Sequence, residues 1–107
     1  MTVNELIEKT NLKAVALPDG NREISGVYIG DLLSWVMGRA ESGNAWVTIM
    51  TNLNVIAVAQ LTDVACVIFA ENVEVEPAVL AKAEMQGINL YRSAKTTYEI
   101  CHAQLLL

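Results

Sequence analysis

The chain is poor in the residues on which several functional classes depend. It has 7 Lys and Arg against 12 Asp and Glu, which gives a formal net charge of −5 at pH 7. Nucleic acids and anionic membrane surfaces both attract clustered basic residues, so this balance argues against binding to either. The first residues, MTVNELIEK, lack a basic region followed by an apolar run. They therefore predict no signal peptide, and we expect a cytoplasmic protein.

Nucleophilic and metal-ligating residues are also scarce. His102 is the only histidine, and the two cysteines, Cys66 and Cys101, lie far apart within apolar patterns. Two Cys and one His match no zinc spacing, and we expect buried free thiols. The phosphate-binding patterns GxxxxGK[ST] and GxGxxG do not occur. The sequence thus predicts no catalytic centre, no metal site and no cofactor.

Apolar residues, in contrast, make up 53% of the 107 positions. This length and composition predict a single domain over residues 1–107. Residues 42–62 carry no charge, and a run of this length is about enough to span a bilayer. Asn, Gln and Thr recur through the run, however, so we interpret it as a buried strand, turn and helix rather than a membrane span.

The stretch from residue 42 to residue 71 organises the predicted fold. Its pattern predicts a strand over residues 45–50, a turn at Thr51 and Asn52, a helix over 53–64 and a strand over 66–70. Two strands joined by a helix are expected to lie side by side and parallel at the centre of a sheet.

The flanking segments extend this βαβ unit. Further strands are predicted over residues 13–17, 27–29 and 88–91, and helices from Thr2, Asp31, Pro77 and Thr96. Two helices are predicted to bury apolar faces made of Leu32, Leu33, Val36 and Met37, and of Tyr98, Cys101, Leu105 and Leu106. The alternation predicts the α/β class, with three layers and a mainly parallel sheet of four to five strands.

The predicted helix over residues 53–64 has no wide polar face, because its polar members scatter round the helical wheel. The sheet of so small a domain covers one side only. The pattern therefore predicts a homodimer whose interface contains Leu53, Val55, Ile56, Val58 and Ala59. The alternative is that other helices of the same chain cover it.

The best ligand candidates are polar residues at the carboxyl ends of the predicted strands, where parallel sheets usually bind ligands. Helix N-termini there offer N–H groups to an anion, although simple helix capping explains the same residues. We interpret the acidic run Glu71, Glu74 and Glu76 as a solvated edge. The two loops after residues 50 and 92 are expected to form one shallow pocket. The candidate ligand residues are Thr51, Asn52, Asn54, Glu71, Ser93, Thr96 and Thr97.

Three stretches carry a family resemblance: GVYIGDLLSWVMG, AWVTIMTNLNVIAVAQLTDVACVIFAE and GINLYRSAKTTYEIC. They resemble the DRTGG-domain family, which is similar to the N-terminal domain of HPr kinase/phosphorylase and to the middle region of some phosphotransacetylases. The naming motif itself is absent. Residues 51–54 stand where other members have an Asp-Arg-containing turn, and residues 70–72 where many have Thr-Gly-Gly.

The resemblance implies a bacterial, non-catalytic module for regulation and dimerisation, which senses a small anionic or nucleotide ligand. It also implies a partner among regulated enzymes or redox- and hydrogenase-associated proteins. Two alternatives stay open. One is a small enzyme or phosphotransfer accessory that uses the edge formed by Thr51 and Ser93, and the other is a purely structural assembly subunit.

Overall fold

The computed structural model describes residues 1–9, 13–16 and 18–102. One helix and one strand come first, and strands and helices alternate after them. In chain order they are α1 (Val3–Lys9), β1 (Lys13–Ala16), β2 (Gly26–Ile29), α2 (Leu33–Arg39), β3 (Asn44–Thr48), α3 (Leu53–Thr62), β4 (Cys66–Phe69), α4 (Pro77–Gln86), β5 (Leu90–Arg92) and α5 (Thr97–Ile100).

The five strands form one sheet in the order β1-β5-β4-β3-β2. Strands β2, β3, β4 and β5 are parallel to one another, and β1 is antiparallel to β5. The predicted central pair is confirmed, because Trp46 of β3 lies opposite Val67 of β4 in a parallel register. The α/β class and the mainly parallel sheet are confirmed as well.

Helices cover both faces of the sheet, so the fold has three layers. On one face, Trp46 and Phe69 pack with residues of α2, α3 and α4, and the Trp46 Nε1–H donates to the Gly30 carbonyl at 2.9 Å. On the other face, Val3 of α1 and Ile100 of α5 belong to a second apolar cluster. Each face of β3 and β4 is therefore buried, which accounts for the successive apolar residues Ala45–Val47 and Cys66–Phe69.

The ends of the helices follow the sequence signals closely. The capping box of Thr96 and Glu99 is present in both directions, at 3.0 and 3.1 Å. Thr2 and Glu5 make the same pair of bonds at 3.1 and 3.2 Å. Gly87 ends α4 at φ 74°, in the left-handed region that glycine tolerates best.

The sequence Gly30-Asp31 predicts that Asp31 caps the helix that follows it, and this prediction is wrong. Helix α2 begins at Leu33, and its N-cap residue is Leu32, without a side-chain cap bond. The Asp31 carboxylate instead accepts hydrogen bonds from the Thr48 hydroxyl at 2.8 Å and from the Ile49 N–H at 2.9 Å. Asp31 thus bonds to a residue 17 positions away instead of to an N–H group in the first turn of α2.

The apolar faces predicted for α2 and α5 are only partly correct. Val36 is buried and Leu33 half-buried, but Leu32 and Met37 are exposed. In the last helix Cys101 is buried, whereas Tyr98 is exposed and stacks on His102 with ring centroids 5.3 Å apart. Leu105 and Leu106 lie outside the described residues.

Four of the five residues predicted at a homodimer interface cannot serve there, because this chain already buries them. Helix α3 packs against the sheet and lies between α2 and α4, which cover its sides, and the alternative of cover within the chain is correct for these positions. Only Leu53 stays exposed. The residues that are buried are Val55, Ile56, Val58 and Ala59. Among the described residues, no helix combines the length and apolar character needed to cross a bilayer.

Candidate functional site

A groove opens between the first turns of α3 and α4, at the carboxyl end of the sheet. Its volume is about 480 Å³. We call it the α3–α4 groove. One wall comes from the start of α3 and the other from the chain that leads into α4. Its lining residues are Thr51, Asn52, Leu53, Asn54, Glu74, Glu76, Ala78 and Val79.

The α3 wall is shaped by a helix cap. The Asn52 Oδ1 accepts a hydrogen bond from the Asn54 N–H at 2.9 Å, and the Asn52 carbonyl accepts one from the Val55 N–H at 3.1 Å. The Asn52 backbone is extended at φ −80° and ψ 170°, as an N-cap requires. The capping interpretation of the Thr51-Asn52 turn is therefore confirmed for Asn52.

Asp31 fixes the chain just before this turn. Its carboxylate holds the Thr48 hydroxyl, and that hydroxyl in turn accepts a bond from the Met50 N–H at 3.2 Å. These contacts set the path by which the chain leaves β3 and reaches Thr51. Asp31 is thus a positioning residue for the α3 wall.

The opposite wall is fixed by Arg92. Its Nε donates to the Val73 carbonyl at 2.7 Å, and its Nη2 donates to the Asn72 carbonyl at 3.2 Å. The same Nη2 lies 3.5 Å from Glu74 Oε1, an ion pair that contributes little because the Glu74 side chain is almost fully exposed. The guanidinium therefore positions the backbone of this wall more than it positions the carboxylate side chains there.

The remaining predicted ligand residues do not line the groove. Ser93 is buried, and its Oγ accepts from the Lys95 N–H at 3.1 Å. Thr96 caps α5, and Thr97 is the first residue of that helix. The Glu71 N–H donates to the Lys95 carbonyl at 2.9 Å, so the loops after β4 and β5 contact each other through their backbones. Instead of one pocket shared by two polar loops, the structure has a groove between two helices.

Two lining residues, Glu74 and Glu76, were missed because the sequence presents them as an ordinary solvated run. A signal was available, since Pro77 marks the first turn of a helix. The two carboxylates come directly before that turn, at the same edge of the sheet as Thr51. They make the groove acidic as well as polar, which sequence reasoning did not anticipate.

The thiols and the imidazole lie away from the groove. Cys66 and Cys101 are free and buried in the cluster under α1 and α5, and burial raises the pKa of both thiols. His102 is exposed and stacks on Tyr98. Within the described parts of the chain, no group of three or more His, Cys, Asp or Glu residues is arranged to hold a metal ion.

Comparison with known proteins gives a match at the level of fold. No protein-family model matches the chain, and no curated protein is detectably similar to it in sequence. A similar solved structure is that of the CBS and DRTGG domains of the regulatory region of Clostridium perfringens pyrophosphatase, complexed with the activator diadenosine tetraphosphate. The TM-score is 0.75 at 8% sequence identity. The chain has a DRTGG-like fold.

The extent of this match limits what it means. It covers 97% of this chain but 46% of the pyrophosphatase chain, so this chain spans less than half of that regulatory structure. At so low an identity the similarity establishes the fold alone, because one fold serves many functions.

Proposed function

We propose that this chain is a non-catalytic regulatory module, a stand-alone member of the DRTGG family, that binds a nucleotide in the α3–α4 groove. The groove carries the proposal. It lies beyond the carboxyl ends of β3 and β4, where open parallel sheets usually bind ligands. Its volume of about 480 Å³ is within the range of small-molecule sites. The similar fold of a regulatory structure complexed with a nucleotide activator supports the same function.

The lining chemistry favours a nucleotide over a small free anion. Glu74 and Glu76 repel an anion, whereas their carboxylates accept hydrogen bonds from the hydroxyl and amino groups of a nucleoside. The first turn of α3 forms the opposite wall of the groove, apart from these carboxylates. Helix N-termini of this kind favour phosphate oxygens. The groove thus offers separate surfaces to the two ends of a nucleotide.

Thermal-shift titration tests the proposal, with AMP, ATP and diadenosine tetraphosphate as ligands. Adenosine and inorganic phosphate are the controls, because each represents one part of a nucleotide. A ligand at 100 times its Kd stabilises the folded chain by about 2.7 kcal/mol. For a domain of this size the melting temperature rises by on the order of 10 °C. We expect this rise with a nucleotide and a smaller one with adenosine or phosphate alone. If no nucleotide raises the melting temperature, the proposal is wrong.

Two variants test whether the nucleotide binds in the groove. Glu76→Gln changes a groove residue, and Glu84→Gln makes the same change at an exposed position near the other end of α4. We expect about tenfold weaker binding for Glu76→Gln, the loss of one charge-assisted hydrogen bond, and unchanged binding for Glu84→Gln. Equal effects of the two substitutions on binding would show that the nucleotide does not bind in the groove.

The non-catalytic part of the proposal needs its own measurement. The bound nucleotide should remain intact when followed by ³¹P NMR over hours. Hydrolysis or phosphoryl transfer that disappears in a Thr51→Ala variant would instead favour a small enzyme or phosphotransfer accessory. Thr51 suits this purpose because it lines the groove but is not the residue that caps α3.

A further inference from the structure

The edge strand β2 has an unpaired side. The Gly30 N–H donates to the Val47 carbonyl of β3 at 3.2 Å. Backbone groups alternate in direction along a strand, so Tyr28 also faces β3, and the N–H and C=O groups of Val27 and Ile29 face outward. In the part of the chain that the structure describes, β2 is the last strand on this side of the sheet.

The two edges of the sheet differ in their protection. The β1 edge begins with Lys13, and its register against β5 shifts between Ala14 and Ala16. A lysine and a bulge are common devices by which proteins prevent an edge strand from pairing with another chain. The β2 edge, Gly-Val-Tyr-Ile, has neither, and it also lacks proline. It is therefore a template for an added strand.

Apolar side chains surround this free edge. We call Val27, Ile29, Leu32, Trp35 and Ile49 the β2 edge patch, and their exposed fractions lie between 37% for Val27 and 60% for Leu32. Val27 and Ile29 pair with Ala45 and Val47 and so lie on the α1–α5 face of the sheet, whereas Leu32 and Trp35 lie at α2 on the opposite face, and the patch therefore flanks the edge on both sides. The Trp35 N–H bonds to the Leu32 carbonyl at 3.0 Å.

We propose that a second copy of this chain docks on the β2 edge patch, so that the two β2 strands pair antiparallel and the sheets form one continuous sheet. Pairing centred on Tyr28 places Val27 opposite Ile29 of the second copy, and both residues have outward backbone groups. That is the arrangement in which an antiparallel pair exchanges two hydrogen bonds. The same two side chains also lie on one face, where cross-strand apolar pairs stabilise a sheet.

Charge and area both fit a second copy. In this register Asp31 lies opposite Ser25 of the other copy, so no like charges are directly opposed. A stable interface buries about 800 Å² per partner, roughly one seventh of the 5609 Å² surface of this chain. Five half-exposed apolar side chains supply on the order of 400 Å². The strand backbone and the surrounding polar residues provide the rest.

This interface replaces the one predicted on α3, whose residues are mostly buried, and it does not depend on a ligand in the α3–α4 groove. Light scattering on the full chain should give twice 11.7 kDa at micromolar concentration. Ile29→Lys, at the centre of the patch, should give 11.7 kDa. Leu61→Lys is the matched control, because Leu61 is 71% exposed on α3 and outside the patch. It should stay dimeric.

Amide hydrogen exchange on the wild-type chain tests the strand pairing without any variant. The outward N–H groups of Val27 and Ile29 should exchange about tenfold or more slowly in the dimer than in dilute monomer, while that of Tyr28 changes little. A monomeric wild-type chain overturns the proposal. So does a dimer that survives Ile29→Lys in a folded variant, or a dimer in which the Val27 and Ile29 amides exchange freely.

Discussion

The guanidinium of Arg22 contacts Asp63 at both its side chain and its backbone. Arg22 Nη1 donates to Asp63 Oδ1 at 3.1 Å, and Nη2 donates to the Asp63 carbonyl at 2.8 Å. The Ser42 hydroxyl donates to the other carboxylate oxygen at 2.5 Å. Asp63 is the C-cap of α3 with φ 59°, so these bonds join two connections of the chain to the end of the central helix.

Asp63→Asn should lower the free energy of unfolding by about 1 kcal/mol. Asparagine tolerates the left-handed backbone of this position, so the change removes mainly the charge from the hydrogen bonds with Arg22 and Ser42. The side chain is well exposed, and solvent screening therefore reduces the effect below that of a buried pair. Urea unfolding measures it. Asp19→Asn, at an exposed turn bonded through its backbone, is the control and should change stability by less than about 0.5 kcal/mol.

The contribution of Asp63 should also depend on pH. The hydrogen bond from Ser42, followed by that from Arg22, lowers the pKa of this carboxyl below its ordinary value of 3.8. The unfolded chain therefore takes up the proton first as the pH falls. The stabilisation is complete above about pH 5 and is lost as the pH falls through the folded pKa. The stability difference between wild type and Asp63→Asn should be constant from about pH 5 to 8 and shrink below about pH 4. A difference that grows on acidification would contradict this assignment.

Glu71 and Asn72 both have left-handed backbones, at φ 62° and 57°. They are the central residues of the turn from Ala70 to Val73, whose closing bond is 3.4 Å. Two successive positive φ angles favour glycine, so Glu71 and Asn72 occupy backbone positions that side chains with a Cβ rarely adopt.

Glu71→Gly should therefore stabilise the chain by about 0.5 to 1 kcal/mol. Glutamate in the left-handed region costs about 1–2 kcal/mol. Glycine removes this strain, but its greater conformational freedom in the unfolded chain offsets part of the gain. Asn72→Gly should gain less, because asparagine tolerates this conformation. Urea unfolding of both variants checks the order. A loss of stability in Glu71→Gly would show that the glutamate side chain makes a contribution larger than the strain.

Local signals in the sequence were sufficient for most of the fold. The capping boxes at Thr2 and Thr96, the proline at the start of α4 and Gly87 at its end all act within a few residues, and the structure has each of them. The strand pairing of β3 and β4 followed from their apolar sequences. These features depend on bonds between near neighbours and on periodicity, both of which a sequence displays.

Contacts over long sequence separations could not be predicted in the same way. Asp31 satisfies every local rule for an N-cap, yet it bonds to Thr48 and Ile49, because the end of β3 comes within reach when the sheet forms. Arg92 likewise supports the groove wall from a neighbouring strand. The position of the groove depends on where such partners meet, so the sequence predicted only the lining residues on its α3 wall. The homodimer interface predicted on α3 was wrong for a related reason, since α2 and α4 of the same chain cover that helix.

Asn89 is a buried residue whose importance only the structure shows. Its Nδ2 donates to the carbonyls of Asp19 and Ala65 at 2.8 and 2.9 Å, and its Oδ1 accepts from the Asp19 N–H at 2.9 Å. Asn89→Ala should cost about 2 to 4 kcal/mol, because it leaves three buried or half-buried backbone groups without partners. Asn89→Asp should also be destabilising, since it brings a carboxylate against two carbonyls. Chemical denaturation measures both, with Asn54→Ala at an exposed position as the control.

The two thiols should resist modification in the folded chain. Burial raises the pKa of Cys66 to about 12 and also raises that of Cys101, so the reactive thiolate is rare at neutral pH in both cases. We expect Ellman's reagent to titrate two thiols per chain at once in denaturant and to react slowly without it. A Cys101→Ser variant isolates Cys66, whose reaction should then follow the rate of unfolding. Rapid reaction of Cys66 in the native chain would contradict the buried geometry.

Two substitutions at Asn52 separate its capping role from its place in the groove. Asn52→Ala removes the bond to the Asn54 N–H and should cost about 1 kcal/mol of stability. Asn52→Asp keeps an acceptor at the cap and adds a charge that the α3 N-terminus favours, so its stability should equal or exceed that of wild type. The same charge adds a third carboxylate beside Glu74 and Glu76, and a nucleotide should bind more weakly. Urea unfolding and calorimetric titration give the two quantities. Unchanged nucleotide affinity in Asn52→Asp would show that the phosphates bind away from the first turn of α3.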